Sequence, residues 1–394
     1  MSDVCVIAGG YHFPPNSGRV DQLREMFRIE NPAWRTAMGL RSKKPWIQLP
    51  EKYVYGCQPL PLGHRWHGGI SVPRCVDIDI DGAERIDCRV VPSAKPVDIA
   101  DGFELRPYQR DAVRAIIRNE GGVVVAPCGS GKTMIGLGAI CALHTKALIL
   151  VHTLDLANQW IDRCETHLCT RPALVGGGKD EKDGRIVVAT IQTLSRRSWQ
   201  ERYDWMKGFG LVIVDEAHHV PAETFCDVIF TAPAAFRVGL TATPERPDGL
   251  TDLLWWHLGK TVYEIKTEDL ADKGLVLTPR VEWLNTNWSP TKRGQEWTHL
   301  INEMTGCRWR NQAILARVQD AAAEGRQILV LSDRVDHCIL LADHLRASGL
   351  TAEAFVGKLS KKKRAEILES AQQRTLQVIC ATTIADEGLD LPSL

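Results

Sequence analysis

Two short stretches carry residue types that do chemistry only in combination. The first is Ala126-Pro127-Cys128-Gly129-Ser130-Gly131-Lys132-Thr133, which follows the apolar Val123-Val124-Val125 and runs into Met134-Ile135-Gly136-Leu137. A buried strand that breaks into a Gly-rich turn and then opens a helix leaves backbone N–H groups pointing outward, where the helix dipole adds positive potential. A polyphosphate fits such a cradle. Lys132 is placed to reach its outer phosphates and the Thr133 hydroxyl to ligate Mg²⁺. The first position departs from the strict pattern, with Ala126 in place of glycine. The second stretch is Asp215-Glu216-Ala217-His218, after the apolar run Leu211-Val212-Ile213-Val214. Adjacent carboxylates repel, so a pair of them at the C-terminal end of a central strand implies a cation. Asp215 is expected to hold the Mg²⁺ and Glu216 to polarise an attacking water.

Three further residues could serve such a centre. Thr241 and Thr243, in the turn after the short strand Val238-Gly239-Leu240, could form a hydrogen-bond relay with His218 whose geometry follows the phosphate state. Gln109 lies upstream in Leu105-Arg106-Pro107-Tyr108-Gln109, where Pro107 suits the first turn of a helix with Ala112, Val113, Ile116 and Ile117 on one face. Its amide offers both a donor and an acceptor, as reading an adenine edge requires.

The elements that must position these residues alternate. Ala147 to Val151 reads as a strand, Leu154 to about Cys164 as a helix and Ile186 to Ala189 as a strand, the βαβ rhythm of a parallel sheet. A relaxed connection spans Thr267 to Thr278, and Arg280 to Leu284 reads as a strand. A second α/β unit follows, with a helix over 312–323, strands over 328–332 and 352–356, a helix over 335–347 and a last strand over 376–380. Residues 1–100 read as a small α+β module: a helix over 20–29, then a hairpin pairing 76–80 with 86–91. Its Arg35, Arg41, Lys43 and Lys44 beside Trp34 and Trp46 form either a backbone-tracking surface with stacking aromatics or a small core with a basic rim. The segment Ser93 to Asp101 reads as a linker. These boundaries divide the chain into 1–100, 101–275 and 276–394.

Composition narrows the classes. With 48 Lys+Arg against 48 Asp+Glu, net charge says nothing about a polyanionic partner. The most basic run, Gly357 to Arg364, could lie on phosphates or be solvated. The 12 cysteines contain no C-x-x-C pair, which argues against zinc ribbons. Cys164-x-x-His167-x-Cys169 lacks a second half with ligand spacing and reads as a helix face. Scattered cysteines fit a reducing compartment, and no stretch approaches the ~20 apolar residues of a membrane helix. A soluble, cytoplasmic protein that does not engage membranes is expected.

In this order the motifs resemble the superfamily 2 helicases, particularly the XPB-type and phage UvsW-type DNA helicases and translocases. LRPYQRDAV resembles their adenine-reading motif, APCGSGKT motif I, VHTLDLANQW motif Ia, ATIQTL motif Ib, VDEAHH (a DEAH box) motif II and GLTATPERPDG motif III. ILVLSDRVDH and VICATTIADEGLDLP resemble motifs IV and V. The resemblance implies two RecA-like parallel-sheet domains, with ATP and Mg²⁺ between them and a nucleic-acid strand across both, DNA rather than RNA. It implies that Gln109 contacts adenine, that Gly129, Ser130, Gly131, Lys132 and Thr133 hold phosphate and metal, and that Gly388 and Asp390 approach the nucleotide. It places Thr153, Thr190, Gln192, Ser332 and Thr382 near the sugar-phosphate backbone, and makes His218, Thr241 and Thr243 the couplers of hydrolysis to domain movement.

Motif VI, whose arginines stabilise the transferring phosphoryl group in this family, would follow Leu394. The second domain is therefore expected to be incomplete, as a fragment of a longer helicase or with a partner supplying the arginine, and the chain as given to bind ATP but hydrolyse it poorly, since such arginines contribute ~10³–10⁵ in rate. The alternatives to an ATP-dependent DNA helicase or translocase are the motor subunit of a restriction or defence system and an ATP-gated nucleic-acid-binding module.

Overall fold

The computed structural model describes residues 4–41, 46, 48–61, 64–76, 78, 83–216, 222–243, 245, 249–271, 274, 280–286, 288–291 and 296–382. The chain forms two compact units, Met1–Thr278 and Pro279–Leu394.

The first unit opens with short strands: β1 (Val4–Ile7), β2 (Tyr11–Phe13), β3 (Arg28–Glu30), β4 (Tyr53–Tyr55), β5 (Gln58–Pro59), β6 (Ile70–Val72) and β7 (Glu84–Asp87). Helix α1 (Val20–Met26) ends before the expected Ile29, which enters β3, and α2 (Pro32–Arg41) follows. Five strands form a sheet in the order β5-β6-β2-β1-β7, while β3 and β4 pair by themselves. Residues 77 and 79–82 of the expected hairpin lie outside the described residues. Its second half runs parallel to β1, with Val6 opposite Ile86, and the described residues Val76 and Ile78 lie outside any strand.

The rest of the unit is an eight-stranded sheet. Its strands are β8 (Gly121–Val125), β9 (Ala147–Val151), β10 (Ala173–Gly176), β11 (Lys179–Asp180), β12 (Ile186–Thr190), β13 (Leu211–Asp215), β14 (Phe236–Thr241) and β15 (Thr261–Glu264). The order is β11-β10-β12-β9-β13-β14-β8-β15, parallel except for β11. Alternation of side chains puts Val123, Leu148, Val212 and Val214 on one face and Val124, Ile149, Leu211 and Ile213 on the other, all of them buried. Helices α3 (Pro107–Arg118), α4 (Lys132–Leu143) and α5 (Leu154–Leu168) cover the second face. The first is covered by α6 (Ile191–Ser195), α7 (Trp199–Met206), α8 (Ala222–Ile229) and α9 (Thr251–Leu258), with α10 (Thr267–Ala271) closing the unit. On α3, Ile117 turns outward while Tyr108 and Gln109 go inward with Ala112, Val113 and Ile116.

The two sheets share a tight seam. A Cβ at Gly9 would stand 1.7 Å from the Phe230 carbonyl oxygen, so only glycine permits this approach. Arg237, at the start of β14, is 1% exposed and donates to the carbonyls of Gly9, Ile229, Ala232 and His257. The last three lie at or just past the C-terminal ends of α8 and α9, where helix dipoles favour a cation. Arg74 donates to Ala8, Ala234 and Ala235 carbonyls. Residues 92–100 are fastened along the same unit: Thr145 Oγ1 donates to Pro92 O at 2.6 Å, Ala94 N to His144 O at 3.0 Å and Ala100 N to His167 O at 3.0 Å.

The second unit holds α11 (Trp297–Thr305), α12 (Arg308–Ala323), β16 (Ile328–Leu331), α13 (Val335–Ala347), β17 (Ala352–Phe355), α14 (Lys361–Gln372) and β18 (Val378–Ala381). The three strands run parallel in the order β16-β18-β17, with α12 and α13 on one face and α14 on the other. Residues 280–284 form no strand: Val281 is 70% and Trp283 94% exposed, so their alternation finds no sheet to join.

Candidate active site

Parallel register brings the C-terminal ends of β8, β14 and β13 side by side, with Val125 opposite Thr241 and Leu240 opposite Asp215. The Gly-rich loop leaves β8 there, anchored by Ala126 N–H donating to Thr241 O at 2.9 Å. Gly129 and Gly131 have φ of 78° and 81°, left-handed values that a side chain would strain. Gly131 caps α4, whose first residues are Lys132 and Thr133.

Lys132 Nζ lies 3.1 Å from Glu216 Oε1 and 3.3 Å from Ala126 O. Asp215 is 6% exposed and accepts the Trp160 Nε1–H on Oδ2 at 2.8 Å. Burial lifts its carboxyl to about 6; the neighbouring Glu216 charge adds to the rise, while the Trp160 N–H and Lys132 oppose it. Glu216 itself has φ of 47°, which turns its side chain off the strand line toward Lys132. Two carboxylates and one ammonium thus share a half-buried space. That donor set fits a divalent cation, whose charge would remove the repulsion between Asp215 and Glu216.

Behind the loop, Gln109 and Tyr108 fix its backbone. Gln109 Nε2 and Tyr108 OH donate to Ser130 O at 3.0 and 2.8 Å, and Gln109 Oε1 accepts from Arg106 N at 2.9 Å. The Gln109 amide therefore uses its acceptor and one of its two N–H groups within the protein. Ser130 turns inward likewise: its side chain is buried and its N–H donates to Pro127 O at 3.2 Å. Thr241 Oγ1 donates to Thr243 O and accepts from Thr243 N at 3.2 Å, which closes the turn after β14. His218, Gly388 and Asp390 lie outside the described residues.

The residues expected near a nucleic-acid backbone sit at strand ends. Thr153 follows β9 and caps α5, accepting Leu156 N–H at 3.3 Å. Thr190 is 6% exposed and bonds Thr193, whereas Gln192 is exposed. In the second unit Ser332 follows β16 and Thr382 follows β18, on neighbouring strands. Ser332 Oγ is 2.8 Å from His337 Nδ1, and His337 Nε2 is 3.0 Å from Asn311 Oδ1. Sequence reasoning missed Tyr108, Trp160, Asn311 and His337. Tyr108, Trp160 and His337 lie inside the motifs, but nothing local distinguishes a hydrogen-bonded ring from a packed one. Among the described residues no group of three metal-ligating side chains forms a further centre, and Cys164 is a core residue of α5. None of the described helices is long and apolar enough to cross a membrane.

Residues 102–246 match the family described as type III restriction enzyme, res subunit, and residues 310–394 the helicase conserved C-terminal domain. A DNA 3'-5' translocase XPB2 from Sulfurisphaera tokodaii is 28% identical over 329 residues, covering 75% of this chain and 74% of that protein. A putative ATP-dependent RNA helicase L396 from Acanthamoeba polyphaga mimivirus is 26% identical over 344 residues, 82% of this chain and 64% of the relative. Of other curated relatives the chain spans 42% and 50% of the length. The T4 UvsW crystal structure aligns over 100% of this chain and 83% of its own, at 16% identity and a TM-score of 0.46. Both family matches lie in helicase order on a parallel α/β scaffold consistent with RecA-like domains, and the chain resembles the superfamily 2 helicases of the XPB type.

Proposed function

We propose that this chain is an ATP-dependent motor that moves along or remodels DNA. One observation carries the reading: the loop lysine and the acid pair after β13 meet within a single half-buried space, Lys132 Nζ standing 3.1 Å from Glu216 Oε1. Gly129, Gly131 and Lys132 hold the phosphates of ATP. Thr133 and Asp215 hold Mg²⁺, which supplies charge neutralisation to the phosphoryl oxygens. Glu216, released from Lys132 when phosphates arrive, is the group that accepts a proton from water. Thr241 and Thr243, joined to each other at the end of β14 and through Ala126 to the loop, pass a change at the phosphates to the sheet edge. Thr153, Thr190 and Gln192 in one domain and Ser332 and Thr382 in the other contact a strand through its backbone, which positions without reading sequence. DNA is favoured over RNA by the XPB-like wording of motifs I and III. A restriction motor subunit shares these motifs, but no observation here favours it.

The test is nucleotide binding and turnover by this chain with single-stranded, forked and duplex DNA and with RNA. MgATP binding that Lys132→Ala weakens by about 100-fold, together with DNA-stimulated hydrolysis that Glu216→Gln abolishes, is the expected result. Binding indifferent to Lys132→Ala would defeat the proposal, and stimulation by RNA alone would replace DNA as the substrate.

A further inference from the structure

Trp160 is more than filling for the core of the first unit. Its ring is 1% exposed on α5, among apolar neighbours that phenylalanine would serve as well. What phenylalanine lacks is the indole N–H, and that N–H donates to Asp215 Oδ2 at 2.8 Å from a residue 55 positions away in sequence. The ring has room to reach β13 because α4 carries glycine where it passes. A Cβ at Gly136 would stand 2.6 Å from Trp160 Cη2 and 3.3 Å from Cζ3. Glycine inside a helix is less favourable than alanine, so this gap comes at the expense of helix stability. Asp215 is nearly closed off from water, and a buried carboxylate without a fixed donor can rotate its two oxygens into nonequivalent positions.

We infer that Trp160 is a positioning residue for the metal-binding carboxylate: its N–H fixes Oδ2 of Asp215 and thereby leaves Oδ1 as the oxygen offered to a divalent cation. This rests on the nucleotide-binding function proposed above. Partners of a metal-ligating carboxylate act in this way by setting its orientation, and their removal lowers metal affinity by about 10–100-fold.

The experiment uses Mn²⁺ in place of Mg²⁺ and follows the free-ion electron paramagnetic resonance signal as protein with saturating ADP is titrated in. Trp160→Phe keeps the ring and removes only the donor. Its Mn²⁺ affinity is expected to fall by about 10–100-fold, with ADP affinity measured in EDTA unchanged. Equal Mn²⁺ affinity in the variant and the parent overturns the inference. So does a matching loss of ADP affinity in EDTA, which would mark Trp160 as a packing residue only. A parent protein that binds Mn²⁺ no better with ADP than without it would overturn the nucleotide function itself, an outcome visible before any variant is measured.

Discussion

Lys132 and Glu216 neutralise each other across 3.1 Å, with side chains only 12% and 20% exposed. A phosphate entering the loop must compete with Glu216 for this ammonium. Glu216→Gln is therefore expected to tighten nucleotide binding by about threefold to tenfold, the worth of roughly 1 kcal/mol of removed competition, while ending hydrolysis. Lys132→Ala is expected to weaken binding by about 100-fold, near 3 kcal/mol. Calorimetric titration with ADP checks both, and weaker binding by Glu216→Gln would contradict the competition.

The seam between the two sheets of the first unit is expected to be acid-sensitive. His12 is 1% exposed, its ring centroid 5.3 Å from that of His64, and burial first, then His64 and Arg237, lowers its pKa from 6.5 to about 3. Between those values the unfolded chain binds a proton that the folded one refuses, so stability rises with pH across the window and is lost as pH falls below 6.5. From pH 7.5 to pH 5 the loss from His12 is on the order of 2 kcal/mol. Urea unfolding of His12→Leu should show a flatter acid limb than the parent, and an unchanged limb would assign the proton elsewhere. His257, buried against Phe225 and Phe230, is lowered in the same direction and adds to the slope.

Gln109 and Tyr108 share one acceptor, the Ser130 carbonyl. Loosening the loop should affect every nucleotide alike, so Gln109→Ala, which loses the bonds to Ser130 O and Arg106 N, is expected to reduce ATP and GTP affinity together by about tenfold, and Tyr108→Phe, which leaves Gln109 on the Ser130 carbonyl, by less. A loss confined to ATP would instead point to the remaining N–H of Gln109 as a reader of adenine.

Arg237 is bound by carbonyls alone. Arg237→Leu leaves four acceptors in the interior and should destabilise the first unit by about 3–5 kcal/mol in urea unfolding. Arg237→Lys should recover little, because an ammonium cannot span carbonyls that a planar guanidinium reaches as a fork. Full recovery by lysine would mean that charge, not geometry, is what the seam requires.

Legibility in sequence followed the range of the interactions. Strands β9, β12 and β13 are buried on both faces and so read as unbroken apolar runs, and the loop before α4 declares itself by Gly129, Gly131 and Lys132 within four residues. The pairing of β1 with β7 spans about eighty residues and leaves no local pattern. Arg237 reads as a surface charge before a strand, since its partners come from Gly9, Ile229, Ala232 and His257. Trp160 reads as core for the same reason: its partner is known only once α5 and β13 are packed. At the loop itself, residue types were legible but orientation was not, as the inward turn of Ser130 shows.

The contact at Gly9 bears on how this protein can be taken apart. Deleting the first hundred residues to isolate a smaller motor would strip a carbonyl from Arg237, uncover Phe230 and remove the strand-like fastening of residues 92–100 along α4 and α5. Dissection at residue 101 should yield aggregation-prone material, whereas cutting between Thr278 and Pro279 respects the compact units.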